Sequence, residues 1–308
     1  MNRKPPLPLE KGKGWGNLTP TCHKLEKAMA LRLAPGYADE PRHPKLYLIH
    51  GGPGAQGTLH GLAHSLPSSL LPREILQTYA SQLTDVPRFS PSESRENTLT
   101  VARHIDDMNA IIREPSNILG HSWGAMLSLS FASQHPEKCR HIILVGCGTY
   151  SPTSRQEYER RIAERTDITK KNWLKEAIHN AQSPDERDDA FRTYGDYATA
   201  IQAFDPIPDP FPDPNPKYDP DGHAQTWIDA MRLQEEGIEP ARFSTIKCPV
   251  TLIQGKQDPH PGELIYQDLK PHIPQLNFMQ LDQCGHEPWL ERHARTFFLN
   301  TIEKTLTI

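Results

Sequence analysis

Gly120-His121-Ser122-Trp123-Gly124 sets a serine between two glycines, after the apolar Ile118-Leu119 and before Ala125-Met126-Leu127. The first run reads as the end of a buried strand and the second as the start of a helix. A serine at that junction sits on a sharp, strained turn with its hydroxyl pushed out above the sheet. Glycines two before and two after it let neighbouring backbones approach without a Cβ between them. A serine hydroxyl is a poor nucleophile at neutral pH and needs a base, and the base needs a carboxylate on its other ring nitrogen. His286, in Cys284-Gly285-His286-Glu287-Pro288-Trp289, and Asp258, in Gly255-Lys256-Gln257-Asp258, each fall just after a strand-like run. Asp268, in a helical pattern, and Asp282, near the histidine, are rivals for the acid. Asp258 is preferred because Gly255 frees the turn before it and the residue follows a strand end. Acyl transfer also charges the carbonyl oxygen, which calls for preorganised donors. The Trp123 N–H is one candidate, and an N–H of His50-Gly51-Gly52-Pro53-Gly54, most of all that of Gly52, is the other.

These side chains need a scaffold that brings distant segments to one edge. Lys45-Leu46-Tyr47-Leu48-Ile49 is a nearly continuous apolar run, as expected of a strand buried on both faces, and ends in the glycine-rich loop. Residues 58–71 read as helix and Glu74–Tyr79 as a weak strand. Residues 98–112 space Leu99, Val101, Ile105, Met108, Ile111 and Ile112 along one helical face. Strands are also expected at 22–34, 140–146, 248–255 and 277–281, and a closing helix at 290–306. Residues 1–20 read as an irregular arm and 84–97 as loop. Strands alternating with helices predict an α/β chain with a mainly parallel, doubly wound sheet.

The pattern changes between 150 and 243. Segments 154–166, 170–182, 184–203 and 223–236 read as charged helices. Between the last two, Asp205–Pro216 carries Pro at nearly every second position and is expected to be an extended connector. Residues 1–149 and 244–308 are therefore expected to form a core domain and 150–243 an inserted helical cap. Trp227 and Phe204 from the cap, with Trp289, are candidates for the wall of an apolar pocket.

At 308 residues with a net charge of −4, the chain has no basic excess of the kind that nucleic acid attracts. Cys22, Cys139, Cys147, Cys248 and Cys284 are odd in number and lack Cys-x-x-Cys spacing, so they read as reduced thiols rather than a disulfide frame or zinc site. The N-terminus lacks the apolar core of a signal peptide, and no apolar run approaches the ~20 residues of a membrane span. A soluble, cytoplasmic protein without nucleic-acid or membrane partners is expected. Oligomeric state is not legible.

His50-Gly51-Gly52-Pro53-Gly54 with Gly120–Gly124 resembles the α/β-hydrolases of the proline iminopeptidase type, and Gly255–Asp258 and Gly285–Trp289 are similar to that family's acid and histidine segments. The resemblance spans 22–149 and 244–308. It implies the α/β-hydrolase fold, Ser122 as nucleophile, Asp258 and His286 as its partners, and Gly52 and Trp123 as oxyanion donors. The chain departs from that family at Leu76–Ser81, where an Asp-Gln-Arg-Gly segment is usual. It also lacks the Trp-Glu pair of the family's cap, although Glu235, Glu236 and Glu239 follow Trp227.

The leading expectation is a serine hydrolase acting through an acyl-enzyme on an ester or amide of a small molecule or short peptide, with no metal or organic cofactor required. A carboxylesterase on small neutral esters competes with a peptidase that releases an N-terminal residue. The same fold also serves non-hydrolytic lyases, cyclases and acyltransferases, and binding proteins without turnover.

Overall fold

Apolar strands that alternate their side chains between two faces need cover on both, and this chain supplies it with helices on each side. The computed structural model describes residues 46–53, 55–56, 58–66, 73–76, 99–213, 217–218 and 220–307. Six strands form one parallel sheet: β1 (Leu46–Ile49), β3 (Arg73–Leu76), β4 (Ser116–His121), β5 (Cys139–Val145), β7 (Val250–Gly255) and β8 (Leu276–Leu281), in the spatial order β3-β1-β4-β5-β7-β8. After β1 the chain steps outward to β3, then returns across β1 to build β4, β5, β7 and β8 on its other side. The strand order therefore reverses between β1 and β4, the position at which open α/β sheets bind ligands at the carboxyl ends of their strands. The loop after Ile49 and the turn after His121 both lie there.

Neighbouring residues of one strand split between two cores. Ile49, Ile118, Leu144 and Leu252 pack on one face with α2 (Val101–Ile111), α3 (Trp123–Gln134) and α8 (Gly262–Leu269). Leu48, Leu119, Ile143 and Ile253 pack on the other with α1 (His60–Ser65), Trp289 and α9 (Arg295–Thr307). Helix α3 is buried on every side from Trp123 to Ser133, which explains its apolar character all round. Its three serines are satisfied internally, for example Ser128 Oγ donating to the Gly124 carbonyl at 2.6 Å.

Between β5 and β7 lie α4 (Pro152–Arg165), α5 (Ile168–Asn180), α6 (Pro184–Gln202) and α7 (Pro220–Glu235). The first three start where the sequence offers caps. Ser151, Asp167 and Ser183 accept from the amides of Ser154, Lys170 and Glu186, and Pro152 and Pro184 open their helices. The proline-rich stretch carries no helix between Ala203 and Asp213, and Pro206 forms an isolated antiparallel bridge with Glu291.

One pairing was not expected from the sequence. β2 (Ala55–Gln56) pairs antiparallel with β6 (Lys217–Tyr218), so the chain beyond the glycine-rich loop is not simply loop but is stitched to the segment before α7. The closing helix starts at Arg295 rather than 290, because Pro288–Leu290 forms a separate tight turn of helix. The strand expected at 22–34, the arm at 1–20, the loop at 84–97, residues 77–79 and Pro214–Pro216 lie outside the described residues. Among the described residues Cys139, Cys147, Cys248 and Cys284 are free and buried. No helix among the described residues is long and apolar enough to cross a membrane.

Candidate active site

Ser122 has φ 53° and ψ −117°, a left-handed backbone that side-chain-bearing residues rarely adopt. The turn is held from both sides. The Ser122 N–H donates to the Val145 carbonyl at 2.8 Å, and the Ser122 carbonyl accepts from Ala125 N at 3.1 Å at the start of α3. The flanking glycines are required by contact. A Cβ on Gly124 would lie 2.1 Å from the Ile49 carbonyl oxygen, and one on Gly120 would lie 2.2 Å from the Gly124 carbonyl oxygen. A Cβ on Gly51 would meet the Ser122 Cβ at 3.0 Å, so the glycine-rich loop runs against the serine.

Gly52 has φ 61° within that loop. Trp123 is the first residue of α3, so its N–H lacks an intrahelical acceptor by position. Both expected oxyanion donors thus belong to segments that border Ser122. His223, from α7, pairs through Nδ1 with the Pro53 carbonyl at 2.8 Å and ties the loop to the helical segment.

Asp258 and His286 meet across the ends of β7 and β8. His286 Nδ1 and Asp258 Oδ2 are 2.8 Å apart, and Asp258 is fully buried. The rivals are engaged elsewhere, Asp268 with Ser154 Oγ at 2.6 Å and Asp282 with Lys256 at 3.0 Å. Burial alone would raise the Asp258 carboxyl, but His286 and His260 outweigh it and hold it well below the usual carboxylate range. Burial disfavours a charged His286, yet the Asp258 charge and hydrogen bond prevail, so its pKa is raised above 6.5.

Four supports hold the His286 segment. The His286 N–H donates to the Gln202 carbonyl at 3.1 Å, and His121 Nε2 pairs with the His286 carbonyl at 3.1 Å. Gly146, at φ 57°, lacks the Cβ that would fall 2.9 Å from His286 Cε1. Glu291, also buried, accepts from the amides of Gly285, Phe204 and Asp205 at 2.8 to 2.9 Å. Ser122 Oγ and His286 Nε2 form no hydrogen bond with each other among the described residues. They border each other through backbone neighbours, since Ser122 N is bonded to Val145 and His286 packs on Gly146. Contacts of this kind are commonly long before substrate binds.

Of the expected pocket-wall residues, Trp227 is 41% and Phe204 47% exposed. Trp289 differs. It is fully buried, edge-on to His121 at 4.8 Å and packed on Phe298 at 6.3 Å, so it supports the site from beneath instead of lining an open wall. Sequence reasoning passed over His121, Gln254, His260 and Glu291. The first sits inside the glycine–serine motif and His260 two residues after Asp258, so proximity to the motifs was the available signal for both. Glu291 carried none, because its partners are backbone amides.

Asp258, His260 and His286 offer ligand-type atoms within 4.8 Å of one another. Both imidazole Nδ1 atoms are occupied by the carboxylate, at 3.0 and 2.8 Å, so the cluster is closed by its own hydrogen bonds.

A sequence profile of the alpha/beta hydrolase fold matches residues 44–292. The chain belongs to the α/β-hydrolase fold family. A pimeloyl-acyl-carrier protein methyl ester esterase of Neisseria meningitidis serogroup B is 25% identical over 266 residues, covering 82% of this chain and 89% of its own. A probable proline iminopeptidase of Streptomyces coelicolor is 26% identical over 279 residues, covering 80% and 84%. The crystal structure of a proline iminopeptidase from Mycobacterium smegmatis shares the fold at TM-score 0.53 and 17% identity, covering 87% of this chain and 90% of that one. This α/β-hydrolase-fold chain therefore has both esterase- and peptidase-named relatives.

Proposed function

We propose that the protein is a serine hydrolase that cleaves an ester or amide of a small substrate through an acyl-enzyme. The observation that carries this reading is the positive-φ turn at Ser122, bordered at the carboxyl edge of the sheet by the 2.8 Å Asp258–His286 pair. Ser122 Oγ attacks the substrate carbonyl while His286 Nε2 takes its proton. Asp258 keeps the other His286 proton on Nδ1 and stabilises the imidazolium. The N–H groups of Trp123 and Gly52 receive the oxyanion. The protonated His286 then donates to the leaving alcohol or amine, and water, deprotonated by the same ring, releases the acid.

We read residues 150–243 as a cap over this edge, with Trp227 and Phe204 among the apolar side chains that it exposes. A specific observation favours esters over peptides. Two of the three glutamates that follow Trp227 are already engaged, Glu236 with Arg232 at 2.6 Å and buried Glu239 with Ser130 Oγ at 2.7 Å. Of those three, exposed Glu235 is the one without such a contact among the described residues.

A fluorophosphonate probe is expected to label the protein, and Ser122→Ala to abolish labelling. Unchanged labelling of that variant, or none of the wild type, refutes the assignment. Faster turnover of a short-chain p-nitrophenyl ester than of an amino-acid arylamide is expected, and the reverse order supports the peptidase.

A further inference from the structure

The buried Asp258 carboxylate serves two imidazoles, and the proposed reaction uses one of them. Oδ2 accepts from His286 Nδ1 and from Gln254 Nε2, both at 2.8 Å. Oδ1 accepts from the His260 backbone N–H at 2.9 Å and from His260 Nδ1 at 3.0 Å. An ionised carboxylate has no proton to give, so each ring carries its hydrogen on Nδ1, and in the neutral form Nε2 is bare. The two rings stack at 4.6 Å and 21°, and His260 also stacks on Tyr158 of α4 at 4.3 Å and 26°. These contacts fix the plane of His260, and Gln254 Nε2 reaches its carbonyl at 3.3 Å.

We propose that His260 is a positioning residue that shares the Asp258 carboxylate with His286 and thereby limits how tightly that carboxylate holds the His286 proton. The inference rests on the reading of His286 as the base. Several groups surround His260. Asp258 lies on its own loop, and His286 comes from the loop after β8, where Glu287 acts on His286 in turn. His121 comes from β4, Gln254 from β7, and Tyr158 and Arg161 from α4, Arg161 donating to the Asp258 carbonyl at 3.4 Å. Burial disfavours a charged His260 despite the pull of Asp258. Two cationic rings stacked on one carboxylate would also repel. When His286 takes the serine proton, His260 therefore stays neutral with its N–H on Oδ1. That bond withdraws part of the carboxylate's basicity from His286, which keeps the proton transferable to a leaving group.

The test compares pH profiles of kcat/KM on a p-nitrophenyl ester for the wild type, His260→Phe and His260→Asn. Phe keeps the stack and loses the donor, so the acid limb is expected to move up by about 0.5–1 unit. Asn keeps an N–H at the position of Nδ1 and is expected to retain the wild-type limb. An unmoved limb in His260→Phe overturns the proposal, as does an equal shift in both variants. Should either variant fail to fold, low-field proton NMR of the wild type decides. Two imidazole N–H resonances, both lost in Asp258→Asn, support sharing, and a single one overturns it. Two resonances in a protein that no fluorophosphonate labels would sink the hydrolase reading and leave the shared carboxylate standing.

Discussion

Glu291 holds the amide of Gly285 at 2.9 Å, and with its other oxygen it holds the amide of Asp205 at 2.8 Å. One buried carboxylate thus ties the residue before His286 to the segment leaving α6. The tie is reinforced because a Cβ on Gly285 would lie 2.5 Å from both the Gln202 carbonyl oxygen and Glu291 Oε1.

Removing that carboxylate should loosen the base and the fold together. Glu291→Ala leaves one buried and two part-buried amides without their acceptor and is expected to cost about 3–5 kcal/mol, since each bond to a charged acceptor contributes roughly 1.5–3 kcal/mol and the losses are not fully additive. Urea denaturation measures this. In the fraction that folds, kcat should fall more than KM rises. A variant with wild-type stability would mean that water takes over the carboxylate's role.

The strained turn at Ser122 separates activity from stability. Ser122→Gly and Ser122→Ala should both lose at least ~10³ of the hydrolytic rate. Glycine adopts φ 53° freely and alanine does not, so Ser122→Gly should be the more stable of the two by about 1 kcal/mol. Paired thermal melts test this, and a more stable alanine variant would contradict the strain.

Asp258→Asn presents an amide in place of the acceptor that keeps the His286 proton on Nδ1. A drop of about 10⁴ in kcat is expected, with KM little changed. The folded-state pKa of Asp258 is depressed, so its contribution to stability is present above its unfolded value of about 3.9 and is lost as pH falls through the lower folded value. The stability gap between wild type and Asp258→Asn should therefore narrow below about pH 4 in denaturation series.

The pH dependence of activity and stability should have opposite origins. His286 must be unprotonated to act, and its pKa is raised, so kcat/KM should climb with pH through a midpoint above 6.5. The pairing of His286 with Asp258 stabilises the fold fully below the unfolded pKa of about 6.5 and loses that contribution as pH rises through the higher folded value. His50 and His104 run the other way, with burial pushing both down to about 4. The unfolded chain binds more protons at these two sites between about pH 6.5 and 4, so they weaken the fold as pH falls across that window. Replacing His104 by Gln should flatten the melting temperature between pH 7 and 5, and an unaltered slope would count against a neutral, buried His104.

Much of this organisation is written into local residue patterns. Apolar runs such as Leu46–Ile49 and Ile142–Val145 read as strands buried on both faces and form them, and the Gly-x-Ser-x-Gly spacing answers to two close backbone approaches found at Gly120 and Gly124. Asp258 and His286 were legible because each follows a strand, and parallel strands deliver their ends to one edge. What the chain pattern could not disclose depends on which surfaces come together in space. Trp289 has the composition of a pocket wall, yet packing seals it beneath His121. The β2–β6 pair joins two-residue segments whose periodicity is too short to register. Glu291 bonds to backbone amides, which every sequence possesses, and the second imidazole on Asp258 gains its meaning from a stack with Tyr158, 102 positions earlier in the chain. Local sequence determines which residue types can carry charge, turn or burial, whereas the distances over which they act arise only when the sheet closes and excludes water.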